Sequence, residues 1–406
     1  MSAQPFSTLP TFVKQPPTPF TLHIPEQKLQ DLKTLVKLSP IGKEAYESQD
    51  ARQGQYGVSR NWMLKARSHW IDEFSWRDEE ARINSFPNYT SLIKDDDGLE
   101  FTVHFAALFS RKKDAVPLAL FHGWPGSFLE FLPILRILRE KYTPDTLPFH
   151  VICPSLLGYP LSSAPPLDRN WEIKDTARVM HKLLLSLGFD KYVVQGGDIG
   201  SYVSRNMAAT YAECAAMHLN FCIMPEPKSA TSSSLPLTAL EEKGMIRFRE
   251  FMEFGLAYGR MHGSRPSTIG HVLSSSPLAL LAWIGEKFKD WVDPEHPLPL
   301  DTILADVTLY WLTECFPTCI YTYREDFAVP PTPGYFHGQK NLYVSKPMGY
   351  SYFAWELAPV PRSWAETSGE LVWFKAHERG GHFAALERPG ELLRDIEDFV
   401  GVAWKG

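Results

Sequence analysis

The stretch Val193-Val194-Gln195-Gly196-Gly197-Asp198-Ile199-Gly200-Ser201 carries the strongest structural signal in this chain. A short β-branched run leads into a small-x-Asp-x-small turn, and a helical pattern follows. This is the layout of a nucleophile elbow, a strained strand-to-helix turn that raises one side chain above a parallel sheet. Enzymes that use this turn often place a serine at its centre, whereas this chain has Asp198. A carboxylate attacks a saturated carbon and forms an ester, so the turn predicts alkyl-transfer chemistry with Asp198 as the nucleophile.

Strand-like and helical patterns alternate around this turn. Strands are predicted at 101–105, 116–121, 149–153, 192–194, 341–344 and 371–374, and helices at 128–138, 173–187 and 391–402. The alternation predicts an α/β fold with a doubly wound, mainly parallel sheet.

Four segments describe the predicted domain organisation. Residues 1–95 form a helical meander without strand alternation, 96–224 and 336–406 form the two parts of the α/β core, and 225–335 form a helical insertion. An insertion between sheet strands is a natural lid over their carboxyl ends, where open α/β sheets bind ligands.

Composition excludes several classes of protein. The 406 residues carry a net charge of −6 with acids and bases interspersed, which argues against nucleic acid as a partner. The N-terminus lacks the pattern of a secretion signal, and the longest apolar stretch, 272–285, is too short and polar for a membrane anchor. The five cysteines form no Cys-x-x-Cys pair and indicate free thiols in a reducing compartment. We therefore expect a soluble, cytoplasmic protein, and the absence of a His/Cys ligand cluster predicts no metal.

The segment His122-Gly123-Trp124-Pro125-Gly126-Ser127 directly follows a predicted strand. In hydrolases of this architecture such a turn gives one backbone N–H to an oxyanion hole, and the residue after the nucleophile gives the second. This predicts an oxyanion hole from Trp124 and Ile199, and a Trp124–Pro125 bond that can be cis. The alternatives are an ordinary loop with a buried tryptophan and, for Asp198, a helix N-cap.

The base of such a site must follow the last strand of the sheet. His382 lies there after a Gly-Gly pair, and His377 is the alternative. The acid that orients the histidine is expected after a strand, between the lid and His382. This position does not distinguish between four candidates: Glu356, Glu366, Glu370 and Glu378. The predicted lid also contains several tyrosines: Tyr258, Tyr310, Tyr321 and Tyr323. The usual role of a tyrosine in an apolar lid is structural, with a packed ring and one hydrogen bond.

Together these motifs resemble the epoxide hydrolase branch of the α/β-hydrolase superfamily, in particular its microsomal-like subgroup and the soluble fungal enzymes within it. The resemblance covers nearly the whole chain. In the core it rests on three motifs: 122–127, Gln195-Gly196-Gly197-Asp198-Ile199-Gly200 and Gly380-Gly381-His382-Phe383-Ala384-Ala385-Leu386-Glu387. In the lid it rests on Gly255-Leu256-Ala257-Tyr258 and Tyr321-Thr322-Tyr323-Arg324-Glu325. It implies Asp198 as nucleophile, His382 as base, Glu356 as the acid beside it, and Tyr258 and Tyr323 as lid acids.

The resemblance also implies the reaction and its partners. An epoxide and water would give a vicinal diol through an ester on Asp198, without a cofactor, in a protein that forms a homodimer by analogy. Three alternatives remain: Tyr321 as the second lid acid, a haloalkane dehalogenase, and a binding protein without catalysis. A dehalogenase commonly has tryptophan where this chain has Ile199, and a binding protein would have a broken triad. An esterase is disfavoured because the serine is missing.

Overall fold

The computed structural model describes residues 4–52, 54–227, 236–327 and 337–405. Its strands are β1 (Thr18–Phe20), β2 (Asn88–Lys94), β3 (Glu100–Leu108), β4 (Val116–Phe121), β5 (Phe149–Pro154), β6 (Tyr192–Gly196), β7 (Cys214–Leu219), β8 (Val344–Trp355) and β9 (Gly369–Gly381). Its α-helices are α1 (Glu26–Leu38), α2 (Arg60–Asp72), α3 (Trp76–Asn84), α4 (Leu132–Lys141), α5 (Ile173–Ser186), α6 (Asp198–Thr210), α7 (Ala239–Glu250), α8 (Ala257–Ser264), α9 (Pro266–Ser274), α10 (Pro277–Asp290), α11 (Leu300–Thr313), α12 (Phe316–Cys319), α13 (Arg324–Phe327), α14 (Arg362–Ala365), α15 (Ala384–Glu387) and α16 (Pro389–Ala403). Short 3-10 helices span Asp50–Arg52, Phe128–Phe131, Tyr321–Tyr323, Lys340–Leu342 and Glu366–Ser368, and a π-helical turn spans Phe251–Gly255.

The strands form one nine-stranded sheet in the order β1-β2-β3-β5-β4-β6-β7-β8-β9. The pairs from β5 to β9 are parallel, and the three pairs at the β1 edge are antiparallel. Every residue of β4, β5 and β6 is buried, as expected for parallel strands covered by helices on both faces. The predicted α/β fold with a mainly parallel sheet is confirmed.

The N-terminal region differs from the predicted helical meander, because it contains β1 and β2 as well as α1 to α3. β2 pairs along its whole length with β3, so this region extends the sheet beyond the predicted core boundary. In α1, Leu29, Leu32 and Val36 are buried, but Leu35, predicted on the same face, is 39% exposed.

Among the described residues between β7 and β8, the regular elements are all helices, from α7 to α13 and the 3-10 helix Lys340–Leu342, and loops join them. The predicted lid spans 225–335, of which 228–235 and 328–335 lie outside the described residues, and its bounds stay a prediction. Across the described ranges, no single helix is long and apolar enough to cross a membrane. Only α9 and α10 together meet that test, and they are bent by 116°.

One strand prediction on the C-terminal side of the lid was inaccurate, and one strand that precedes the lid was not predicted. In the segment predicted as a strand at 341–344, the first two residues belong to the 3-10 helix Lys340–Leu342, and β8 begins only at the last residue. β7 was not predicted, because its sequence Cys-Ala-Ala-Met-His-Leu has neither alternation nor β-branched residues. Tertiary pairing with β6 and β8 makes this segment a strand.

Candidate active site

The elbow joins β6 to α6 through Gly197, and α6 begins at Asp198. Asp198 has φ +46°, in the left-handed region that a residue with a side chain seldom occupies. Gly123 lies directly against its carboxylate, since a Cβ at this glycine would be 2.2 Å from Oδ1 of Asp198. Glycine is therefore required at this position of the neighbouring loop for the carboxylate to sit where it does.

The loop after β4 holds one oxygen of this carboxylate. The Trp124 amide donates a hydrogen bond to Oδ1 of Asp198 at 2.7 Å, and the Trp124–Pro125 bond is cis as predicted. Ile199 is the second residue of α6, and the first N–H groups of a helix have no carbonyl partner within the helix. Both predicted oxyanion donors thus border the carboxylate, one of them in direct contact.

His382 lies between two carboxylates. Its Nδ1 is 2.5 Å from Oε1 of Glu356, and its Nε2 is 3.3 Å from Oδ2 of Asp198. Glu356 follows the end of β8, and His382 follows the end of β9, so both come from the same edge of the sheet as the elbow. Burial disfavours the imidazolium ion, but the two carboxylates outweigh this effect and raise the pKa of His382 to about 10.

The alternatives from the sequence lie elsewhere. His377 stacks on Phe353 and makes a 2.5 Å contact with Asp395. The other acids do not approach His382: Glu366 bonds Arg362, Glu370 accepts from Tyr343, and Glu378 is exposed on β9.

A cavity of about 240 Å³ connects the elbow with the lid. Asp198, Ile199, Tyr258 and Tyr323 line it. The remaining lining is largely apolar and includes Phe221, Ile223, Phe251, Met252, Leu256 and Leu357. A small apolar molecule in this cavity would therefore lie between a carboxylate and two phenols.

The two lid tyrosines are held by aromatic contacts. Tyr258 stacks on the Trp124 indole with ring centres 5.1 Å apart, and the rings of Tyr258 and Tyr323 are 5.7 Å apart. Burial raises the pKa of both phenols, and the Asp198 carboxylate adds to the effect, so both stay protonated at neutral pH. By contrast, Tyr321 contacts Thr176 at 2.5 Å, and Tyr310 donates to the carbonyl of Gly126. Neither lines the cavity.

The lid is tied to the oxyanion loop by buried polar contacts that the sequence did not reveal. The Ser127 hydroxyl donates to Oδ1 of Asp306 on α11 at 2.5 Å. Together with the Tyr310 contact to Gly126, this fixes α11 on the loop that carries Trp124.

Glu130 is a further candidate that sequence reasoning missed. It lines a second, small cavity together with Asp198 and His382, and desolvation raises the pKa of its carboxyl well above the usual range. A neutral carboxyl here can donate a hydrogen bond beside the triad. The signal that could have found it is a single charged residue within the apolar run 128–135.

All five cysteines, at 153, 214, 222, 315 and 319, are buried and unpaired by disulfides. Within the described ranges, no group of three or more His, Cys, Asp or Glu side chains could hold a metal ion.

Two family models match the chain: the epoxide hydrolase N terminus over residues 17–131 and the alpha/beta hydrolase fold over 116–234. A Dothistroma septosporum protein assigned to the epoxide hydrolases is 44% identical over 98% of this chain and 93% of its own length. Epoxide hydrolase 1 of Oryctolagus cuniculus is 31% identical over 86% of this chain and 81% of its own. The solved structure of Aspergillus niger epoxide hydrolase matches with a TM-score of 0.92 at 52% identity, covering 99% of this chain and 100% of that one. The chain therefore belongs to the epoxide hydrolase family, on the α/β-hydrolase fold.

Proposed function

We propose that the protein converts epoxides to vicinal diols in two steps, through a covalent ester on Asp198 that His382-activated water hydrolyses. The observation that carries this proposal is the arrangement of one cavity, in which the carboxylate of Asp198 and the phenols of Tyr258 and Tyr323 line the same space. A strained ether needs a nucleophile on carbon and a proton on oxygen, and these groups supply both.

In the first step, an oxygen of Asp198 attacks a ring carbon. Oδ1 is held by the Trp124 amide, which leaves Oδ2 to form the new carbon–oxygen bond. The ring carbon–oxygen bond breaks, and the oxygen takes a proton from Tyr258 or Tyr323. The product is a hydroxyalkyl ester with one phenolate beside it.

After the ester has formed, His382 gives its proton to the phenolate. In the second step the neutral imidazole takes a proton from water, and the hydroxide adds to the ester carbonyl carbon of Asp198. The oxyanion forms on Oδ1, between the Trp124 and Ile199 amides, where loss of one such donor typically costs about 2.7–4 kcal/mol. As the intermediate collapses, the diol oxygen takes the proton from His382. The acid formed on Asp198 then gives its proton to His382, which restores the carboxylate, the imidazolium and both phenols.

The ionisation of His382 supports this order of events. In the free enzyme the imidazole lies between two carboxylates that raise its pKa to about 10, so it is protonated at neutral pH. Alkylation removes the charge of Asp198, and the pKa of His382 then falls because one of the two stabilising charges is lost. The histidine becomes a base only after the ester exists.

A dehalogenase is less well supported. It would need a halide donor beside Asp198, and the indole Nε1 of Trp124 is buried without a hydrogen-bond partner among the described residues. However, Trp124 does not line the cavity that Asp198 shares with the two phenols.

The test is hydration of styrene oxide by the purified protein, with Asp198→Ala as control and a 1-haloalkane as a parallel substrate. Diol formed only by the intact protein supports the proposal. Halide release would assign the protein to the dehalogenases, and diol formed equally by Asp198→Ala would exclude the ester mechanism. A cytoplasmic location and a homodimer stay predictions.

A further inference from the structure

A lysine lies inside the lid against one of the two proposed acids. Lys287 on α10 is only 7% exposed, and its Nζ lies 4.9 Å from the ring centre of Tyr258. Two indoles also lie near it, since Nζ is 5.7 Å from the rings of both Trp283 and Trp291. The ammonium is ion-paired with Glu286, whose side chain is 31% exposed. A buried cation costs free energy unless it is compensated, so this position calls for an explanation.

The charges around Tyr258 oppose the acid role proposed for it. When the phenol gives up its proton, a phenolate forms in a buried place, and burial together with the Asp198 and Glu356 carboxylates disfavours that charge. The titratable groups that interact with this side chain include Asp198 and Tyr202 on α6, Glu356 after β8, Tyr323 on the 3-10 helix, His262 on α8 and Lys287 on α10. A cation beside an aromatic ring is attracted even by the neutral ring, and far more by a phenolate that shares its negative charge with the ring.

We propose that the Lys287 ammonium stabilises negative charge on Tyr258 while this phenol donates its proton to the opening epoxide oxygen. Lys287 is then a positioning residue for ring opening, because it acts through Tyr258 and does not line the cavity itself. The inference rests on the proposed function. The phenol O–H bond breaks, the proton goes to the epoxide oxygen, and the electron pair left on Tyr258 is balanced by the ammonium until the proton returns.

Two neighbours provide matched controls. Lys289 lies two residues further along α10, with its Nζ 5.2 Å from the Trp62 ring rather than near Tyr258. Lys289→Met therefore removes a cation from the same helix without affecting the acid. Glu286→Gln removes the counter-ion of Lys287 and leaves the ammonium in place.

The experiment is rapid-quench mass spectrometry of ester formation from styrene oxide in a single turnover. We expect Lys287→Met to slow ester formation about tenfold and to leave hydrolysis of the ester unchanged. Lys287→Arg retains the charge and should recover most of the rate. Lys289→Met should match the wild type, and Glu286→Gln should be no slower than it.

The deciding comparison repeats Lys287→Met in a Tyr258→Phe background. If Lys287 acts through the phenol, its loss has no further effect once the hydroxyl is gone. The same tenfold loss in both backgrounds would show a packing role and overturn the inference, as would a wild-type rate in Lys287→Met. Failure of the proposed function is distinguishable, since the wild type would then form no ester at all, which would overturn both proposals.

Discussion

Removal of the Asp198 carboxylate should lower the pKa of His382 from about 10 to roughly 7–9. The magnitude follows from the geometry, since Oδ2 of Asp198 is 3.3 Å from Nε2 of His382. An opposite charge within a few ångströms shifts a pKa by about 1–3 pH units. Glu356 keeps its 2.5 Å contact with Nδ1, so part of the elevation should remain. The substitution Asp198→Ala thus imitates the loss of charge that alkylation would cause.

The assay is an NMR pH titration of protein labelled with ¹⁵N in its histidine rings. The His382 signals are identified by their absence from the spectrum of His382→Gln, and the buried, neutral His104 serves as an internal reference. Glu356→Gln provides the comparison in which the other carboxylate is lost. An unchanged pKa of His382 in Asp198→Ala would refute the reasoning, because neutralising Asp198 could then not convert the histidine into a base.

Further predictions concern the lid, the loop beneath it and the elbow. Tyr258→Phe and Tyr323→Phe should each slow ester formation more than ester hydrolysis in single-turnover kinetics, whereas a larger loss in Tyr321→Phe would contradict the assignment. Burial raises the pKa of Asp306 to about 7, above its unfolded value of about 3.9, so its ionisation lowers stability as pH rises between these values. The free energy of unfolding of Asp306→Asn, measured by chemical denaturation, should rise relative to that of the wild type by on the order of 2–4 kcal/mol between about pH 4 and about pH 8. A difference between the two proteins that does not change with pH would contradict this. Gly200→Ala should prevent folding or destabilise by several (~3 or more) kcal/mol, since its Cβ would lie 2.0 Å from a backbone oxygen of β4. Thermal unfolding of Gly200→Ala followed by circular dichroism checks this prediction. A melting temperature equal to that of the wild type would argue against the close contact between α6 and β4.

Much of the core could be predicted from local sequence because its strands are continuous apolar runs. β4 was predicted with its observed bounds, and β5 and β6 to within two residues. β7 could not be predicted, because alanines carry little strand preference and only pairing on both sides makes the segment a strand. β2, which lies between the edge strand β1 and β3, was also missed, in a region whose longer elements are the helices α1 to α3.

Several residues of the candidate site could also be predicted from the sequence, but for a different reason. Asp198 and Trp124 lie in glycine-rich turns whose composition reflects close backbone approach, as the Gly123 contact shows. Chain order gave His382 as the base, but only the resemblance separated Glu356 from the other acids. The local sequence around Lys287 and Asp306 did not predict their roles, because these roles depend on contacts with segments far away in sequence.

The most direct test of the two-step account is the intact mass of His382→Gln after incubation with styrene oxide. The account predicts an increase equal to one substrate molecule, located by peptide mapping on Asp198, and no such increase in the Asp198→Ala, His382→Gln double variant. Unmodified His382→Gln protein that nevertheless forms diol would contradict the covalent ester on Asp198.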